Sequence, residues 1–272
     1  MPEELRKNLD SIGKQAAPIA KAFQEAVEQM RHTMLAISEA TEQFRREYGP
    51  IIKQFSETYG PKIQEFAVRA KQWQKEQKVS VALLAEHGWF PNWYTFFYSP
   101  PEDIESIDDL MINHIDESWA EIKQKIIELS PKREHILKVA FELHEKENYI
   151  ASVPLLLSQS DGICSEEFTH FFSKDSNTGR RASDEIILKA ESNELVVNFL
   201  SEILLEPFKV NLQMSQGSSK ASKAAKAKGP NRHGIIHGSR KHLDYGTKIN
   251  GYKAISFLAF IVYTTKDEFK ET

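Results

Sequence analysis

Residues 229 to 247, Gly-Pro-Asn-Arg-His-Gly-Ile-Ile-His-Gly-Ser-Arg-Lys-His-Leu-Asp-Tyr-Gly-Thr, gather three of the chain's nine histidines and two of its ten arginines. Four residues separate Arg232 from His237, and the first of them is His233. These are groups that can break a phosphodiester without a metal. A ribose 2′-hydroxyl must lose a proton as it attacks phosphorus, the leaving 5′-oxygen must gain one, and a cation must meet the charge growing on the phosphoryl oxygens. Histidine exchanges protons near neutral pH. Arginine presents a rigid fork of donors that matches phosphate oxygens. Gly234 and Gly238 are expected to leave room for a close approach and to bend the chain so that Arg232 and His237 converge. Spacing alone is weak evidence, because ten arginines and nine histidines give this separation by chance about a third of a time per chain of 272 residues.

Charge supplies context. The net charge is −4, yet residues 81 to 214 carry 11 Lys/Arg against 24 Asp/Glu while residues 215 to 253 carry 9 against 1. An acidic body with one strongly basic stretch draws a polyanion to that stretch and repels it elsewhere. Just upstream, Gln213 to Pro230 is a low-complexity segment with Lys220, Lys223, Lys226 and Lys228. Its composition cannot bury a core, so it is expected to be a mobile cationic arm that holds a nucleic-acid backbone. Cys164, the single cysteine, closes an apolar run and reads as a small buried hydrophobe.

The elements that must position these residues read as helices throughout, an all-α protein with long N-terminal helices in a hairpin or coiled-coil-like arrangement. From Glu3 to Lys78 the chain is rich in helix formers with apolar residues at helical spacing. Inside it, Tyr48-Gly49-Pro50 recurs as Tyr59-Gly60-Pro61, and Phe44, Phe55 and Phe66 stand eleven apart, three turns on one helix face. Each Gly-Pro is expected to break a helix or to start one. The aromatic stretch Val81 to Pro101, with Trp89, Phe90, Trp93, Tyr94, Phe96, Phe97 and Tyr98, reads as a buried hinge because no Lys or Arg interleaves with the rings. Ile104 to Leu129, Pro131 to Lys146, Tyr149 to Ile163, Asp184 to Phe208 and Lys248 to Thr265 complete the helices, with Ser183 as a cap and a kink or late start at Pro154. Three regions result: an oligomerisation or sensing region over 1–80, an aromatic hinge and connecting helix over 81–130, and a helical domain over 131–272 with a flexible basic insertion at 213–230.

No apolar run approaches the roughly 20 residues that span a bilayer. The start MPEELRKNLD lacks the apolar core of a signal peptide. A cytoplasmic protein with no membrane partner is expected.

Asn231-Arg232-His233-Gly234-Ile235-Ile236-His237-Gly238 resembles the motif of the HEPN superfamily, in which an arginine, a polar residue and three to five more precede a histidine. Asp244-Tyr245-Gly246-Thr247-Lys248-Ile249-Asn250 and the stretch Tyr149 to Gly162 are similar to a prokaryotic branch of that group, and the likeness covers roughly Pro131 to Lys266. Many prokaryotic members are metal-independent ribonucleases. The resemblance implies a helical bundle, His237 as the proton-transfer residue, Arg232 on the scissile phosphate and His233 assisting. No cofactor and no metal are implied. Asn231, Lys226, Lys228, Arg240, Lys241, His242 and Tyr245 are expected to bind the RNA, with tRNA one candidate. The resemblance further implies a homodimer with facing motifs, and a toxin or phage-defence role; a helical protein partner could dock on residues 1–80. Rival readings are a metal site from His233, His237 and His242, a non-catalytic RNA- or nucleotide-binding module, and a pure interaction protein. The other histidines, His170 among them, read as surface or packing residues.

Overall fold

The computed structural model describes residues 49–92, 95, 105–174, 180–192, 201–219 and 221–268, and among these every regular element is helical. Contacts divide the chain into two compact units, residues 2–76 with 96–99 and residues 77–95 with 100–272. The first unit includes the front of α1 (Gly49–Glu86). This helix runs unbroken through Gly60 and Pro61, so the second Gly-Pro repeat neither breaks nor starts it, and what precedes Gly49 lies outside the described residues. Phe44 and the start expected from Glu3 lie outside the described residues.

The second unit is built around α11 (Lys248–Tyr263), whose residues from Gly251 onward are all buried. A helix apolar on every side belongs in the middle of a bundle. Thr247 starts it by accepting the Asn250 N–H, and its far end continues as a π-helical turn, Thr264–Glu268. Around it pack α2 (Ile107–Glu117), α3 (Trp119–Leu129) and, most extensively, α5 (Tyr149–Glu167), which is also covered by α4 (Glu134–Glu145). Close approach is enforced at Gly251, where a Cβ would stand 2.4 Å from Tyr149 Cδ1. The expected helix Ile104 to Leu129 is two helices meeting at Ser118.

The aromatic stretch enters this core. Trp89 and Phe90 are fully buried, and the Phe90 ring stands 4.8 Å from Phe257 and 5.4 Å from Phe260. Ser256 Oγ accepts the Phe90 N–H and donates to the Phe90 carbonyl. Burying each such ring stabilises the unit by roughly 1.5–3 kcal/mol. Trp93, Tyr94 and Phe96 to Tyr98 lie outside the described residues.

Helix α5 starts at Tyr149, where Asn148 caps it, and continues through Pro154. A proline cannot donate to the carbonyl four residues back. That carbonyl, Ile150's, instead accepts the Tyr245 hydroxyl at 2.9 Å. α6 (Ala182–Glu191) begins two residues earlier than Ser183 suggested: Asp184 accepts the Arg181 N–H, which makes Arg181 the cap. Two short helices follow, α7 (Ser201–Leu204) and α8 (Glu206–Lys209).

The lysine-rich segment carries structure of its own, a 3-10 turn at Gln213–Ser215 and α9 (Lys223–Ala227) capped by Ser222. Met214 is buried. Lys253 of α11 donates to the Ala227 carbonyl at 2.7 Å, lies 3.5 Å from Asp108 and faces the Trp89 ring. Burial pushes its ammonium below the usual lysine range. A buried cation thus fastens the end of α9 to the central helix.

Candidate active site

The histidine-rich stretch folds into α10 (Arg232–Ile236), a helix of about one and a half turns capped at both ends. Asn231 begins it: its side-chain oxygen accepts the Gly234 N–H at 2.7 Å, and its amide nitrogen donates to the carbonyls of Gln213 and Gln216. His237 ends it, and Gly238 follows at φ 61°, the left-handed conformation that glycine takes without penalty. The Gly238 N–H returns to the Ile235 carbonyl and the Ser239 N–H to the Gly234 carbonyl, which together form a Schellman motif.

Gly234 has a different use from the one its position suggested. A Cβ there would lie 2.1 Å from Cδ2 of His242, so the space it leaves is filled by that ring. His242 is buried and hydrogen-bonded through Nε2 to the Ser218 carbonyl. It holds α10 from beneath while the other two histidines of the stretch face solvent.

A helix turns about 100° per residue. His233 and His237 therefore share one side of α10, and their rings meet edge-to-face with centroids 4.4 Å apart. Arg232 leaves the helix roughly 100° away from His233. Its Nη2 reaches Asp161 Oδ2 of α5 at 3.5 Å, and its guanidinium lies over the Phe172 ring, 5.6 Å from the centroid. Phe172 in turn packs against Phe257 of α11. The turn presents a histidine pair on one side and an arginine centre on the next.

Asp161 organises that centre. It is buried, and its Oδ1 accepts the backbone N–H groups of Phe171 at 2.8 Å and Phe172 at 3.1 Å. Its Oδ2 receives Arg232 and, at 3.2 Å, Nδ1 of His170. One carboxylate thus shapes the loop after α5 and joins an arginine to a histidine. Of a guanidinium's five N–H donors, those of Arg232 make one contact among the described residues, and its Nε, though buried, has no acceptor there. Asp161 stood in the sequence only as part of the stretch Tyr149 to Gly162, with no role of its own, and His170 read as a surface or packing residue.

The remaining expected binding residues divide. Lys228 and Arg240 are exposed, and Lys241 is exposed with Nζ 3.4 Å from the Ser219 carbonyl. Lys226 pairs with both carboxylate oxygens of Asp244 and holds that carboxyl below the usual range. Tyr245 is engaged with Ile150, and Asn231 with the cap and two carbonyls. Cys164 is buried, and burial pushes its thiol up. Among the described residues no group of three or more His, Cys, Asp and Glu side chains is placed to hold a metal ion, and no helix is long and apolar enough to cross a membrane. Comparison of the chain with protein-family models, with curated proteins and with solved structures returns no match.

Proposed function

We propose that the chain is a metal-independent endoribonuclease of the HEPN type. Arg232 contacts the scissile phosphate, His237 takes the 2′-hydroxyl proton, and His233, in ring contact with it, assists. The observation that carries this reading is the division of α10 into two faces. Its inner side is committed to the protein through Asn231, Gly234 and His242. The outer side offers two exposed histidines, and beside them stands an arginine with donors to spare. A histidine pair that served only packing would be buried, and a capping arginine would have its donors satisfied. Lys228, Arg240 and Lys241 supply phosphate contacts that carry no sequence information. A second copy facing this one would add further histidines, and a toxin or phage-defence role suits an RNA-cleaving activity of this kind.

The test is cleavage of labelled RNA by the purified chain in EDTA. Fragments with 2′,3′-cyclic phosphate and 5′-hydroxyl ends are expected, and His237→Ala should slow their formation by about 10²-fold or more. Undiminished cleavage by that variant overturns the reading. A non-catalytic RNA-binding module draws on the same exposed cations, and it is the outcome assigned if RNA is retained on the protein and never cut.

A further inference from the structure

Transfer of two protons calls for two groups, and the turn at α10 places its histidine pair on one side and Arg232 on the next. The histidine that shares a partner with Arg232 comes from elsewhere in the chain. His170 and Arg232 meet the same oxygen, Asp161 Oδ2, at 3.2 and 3.5 Å. We infer that His170 is a second catalytic residue of this centre, which delivers the proton to the leaving 5′-oxygen. The inference rests on the endoribonuclease reading above and names a residue that reading does not use.

Three features support it. Asp161 is buried and fixed by two backbone N–H groups, so the carboxylate cannot follow the imidazole and instead holds it in place. The Nδ1–H donates to Asp161, which leaves Nε2 as the nitrogen for proton exchange, and Nε2 has no hydrogen bond among the described residues. This is how a carboxylate orients a histidine in hydrolase triads. Finally, the His170 side chain is 57% exposed although its anchor is buried, so the free edge of the ring can meet a substrate. A structural histidine gripped by a buried acid would be expected to lie inside with it. Arg232, on the same carboxylate, would set the phosphorus within reach of that edge.

The step balances within the chain and its substrate. The 2′-oxygen bonds to phosphorus as its proton passes to His237. The phosphorus–O5′ bond breaks as the proton on His170 Nε2 passes to O5′. The products are a 2′,3′-cyclic phosphate and a 5′-hydroxyl, and solvent exchange restores the two imidazoles.

Two substrates separate this role from a structural one: ordinary RNA, and the same RNA with sulfur in place of the 5′-oxygen at one linkage. A thiolate leaves without being protonated, so the acid is dispensable for the second. His170→Ala is expected to cut ordinary RNA about 10²-fold more slowly and the sulfur-bridged linkage at close to the wild-type rate. His170→Gln, which keeps a side-chain N–H for Asp161 but cannot exchange protons, should behave in the same way and serves if the alanine variant does not fold. His237→Ala should lose both substrates. Wild-type rates on ordinary RNA in either His170 variant, or an equal loss on both substrates, overturns the inference while leaving the endoribonuclease reading intact. Wild-type protein that cuts neither substrate removes both.

Discussion

Two sets of histidines in the second unit show how one residue type is put to opposite uses. His114 and His144 sit in the interior, His114 with Nε2 on the Thr95 hydroxyl and His144 among the rings of Trp119, Tyr149 and Tyr252. Burial pushes both down to about 4, so at neutral pH they are uncharged. His170, His233 and His237 lie at the surface on short segments fixed by buried groups, Asp161 for the first and Asn231 with His242 for the others. Histidine becomes available for chemistry here when the backbone beneath it is anchored and the ring is left outside. The interior pair spends its rings on contacts inside the bundle instead.

The largest expected effect tests the anchor. Asp161→Ala strands two backbone N–H groups and a partly buried arginine, and removing one member of such a cluster costs about 3–5 kcal/mol. Urea unfolding of the variant measures it; a cost below about 1 kcal/mol, the level of an exposed ion pair, would place Asp161 with the surface groups and dissolve the contrast.

Next is the response to acid. His114 and His144 bind protons more readily in the unfolded chain, where the ordinary value is 6.5, than in the folded one. Their contribution is therefore complete above pH 6.5 and is lost as pH falls toward 4, on the order of 3 kcal/mol for each. Unfolding midpoints at pH 7.5 and pH 5 read this loss. His144→Phe should shrink the difference between the two midpoints, and an unchanged difference would mean that His144 is not titrating against burial.

The smallest effect is expected from the exposed pair. The double variant His233→Ala, His237→Ala should unfold within about 0.5 kcal/mol of the wild type, since both rings are exposed and the cap at His237 is made by its backbone N–H, which alanine keeps. A loss of 2 kcal/mol would show that the edge-to-face pair is structural, and would undercut the proposed chemistry.

The parts of the molecule that could be read from the sequence are those governed by neighbours in the chain. The apolar run of α11 and the buried character of Trp89, Phe90 and Cys164 follow from composition and period, and the structure has them so. Boundaries were less legible. Ser118 divides a stretch of helical pattern because its backbone N–H caps α2 just as α3 begins, and Arg181 takes the capping position because Asp184, not Ser183, supplies the local hydrogen bond. The candidate site was visible only as far as α10 itself. Arg232 is 71 residues from Asp161, and no periodicity or motif announces a contact at that separation. The room at Gly234 was visible, but not that His242 fills it, because a glycine marks close approach without naming what approaches.

Pro154 carries a consequence of this kind. By withholding a donor it leaves one carbonyl of α5 open, and the phenol of Tyr245, 95 residues along the chain, closes it. The loop that leaves the histidine turn is thereby registered against α5 at a single point, defined by a hydrogen bond that the helix cannot make for itself. An amino acid usually counted as a flaw in a helix serves here as an address, and it fixes where the chain returns to the bundle before α11 begins.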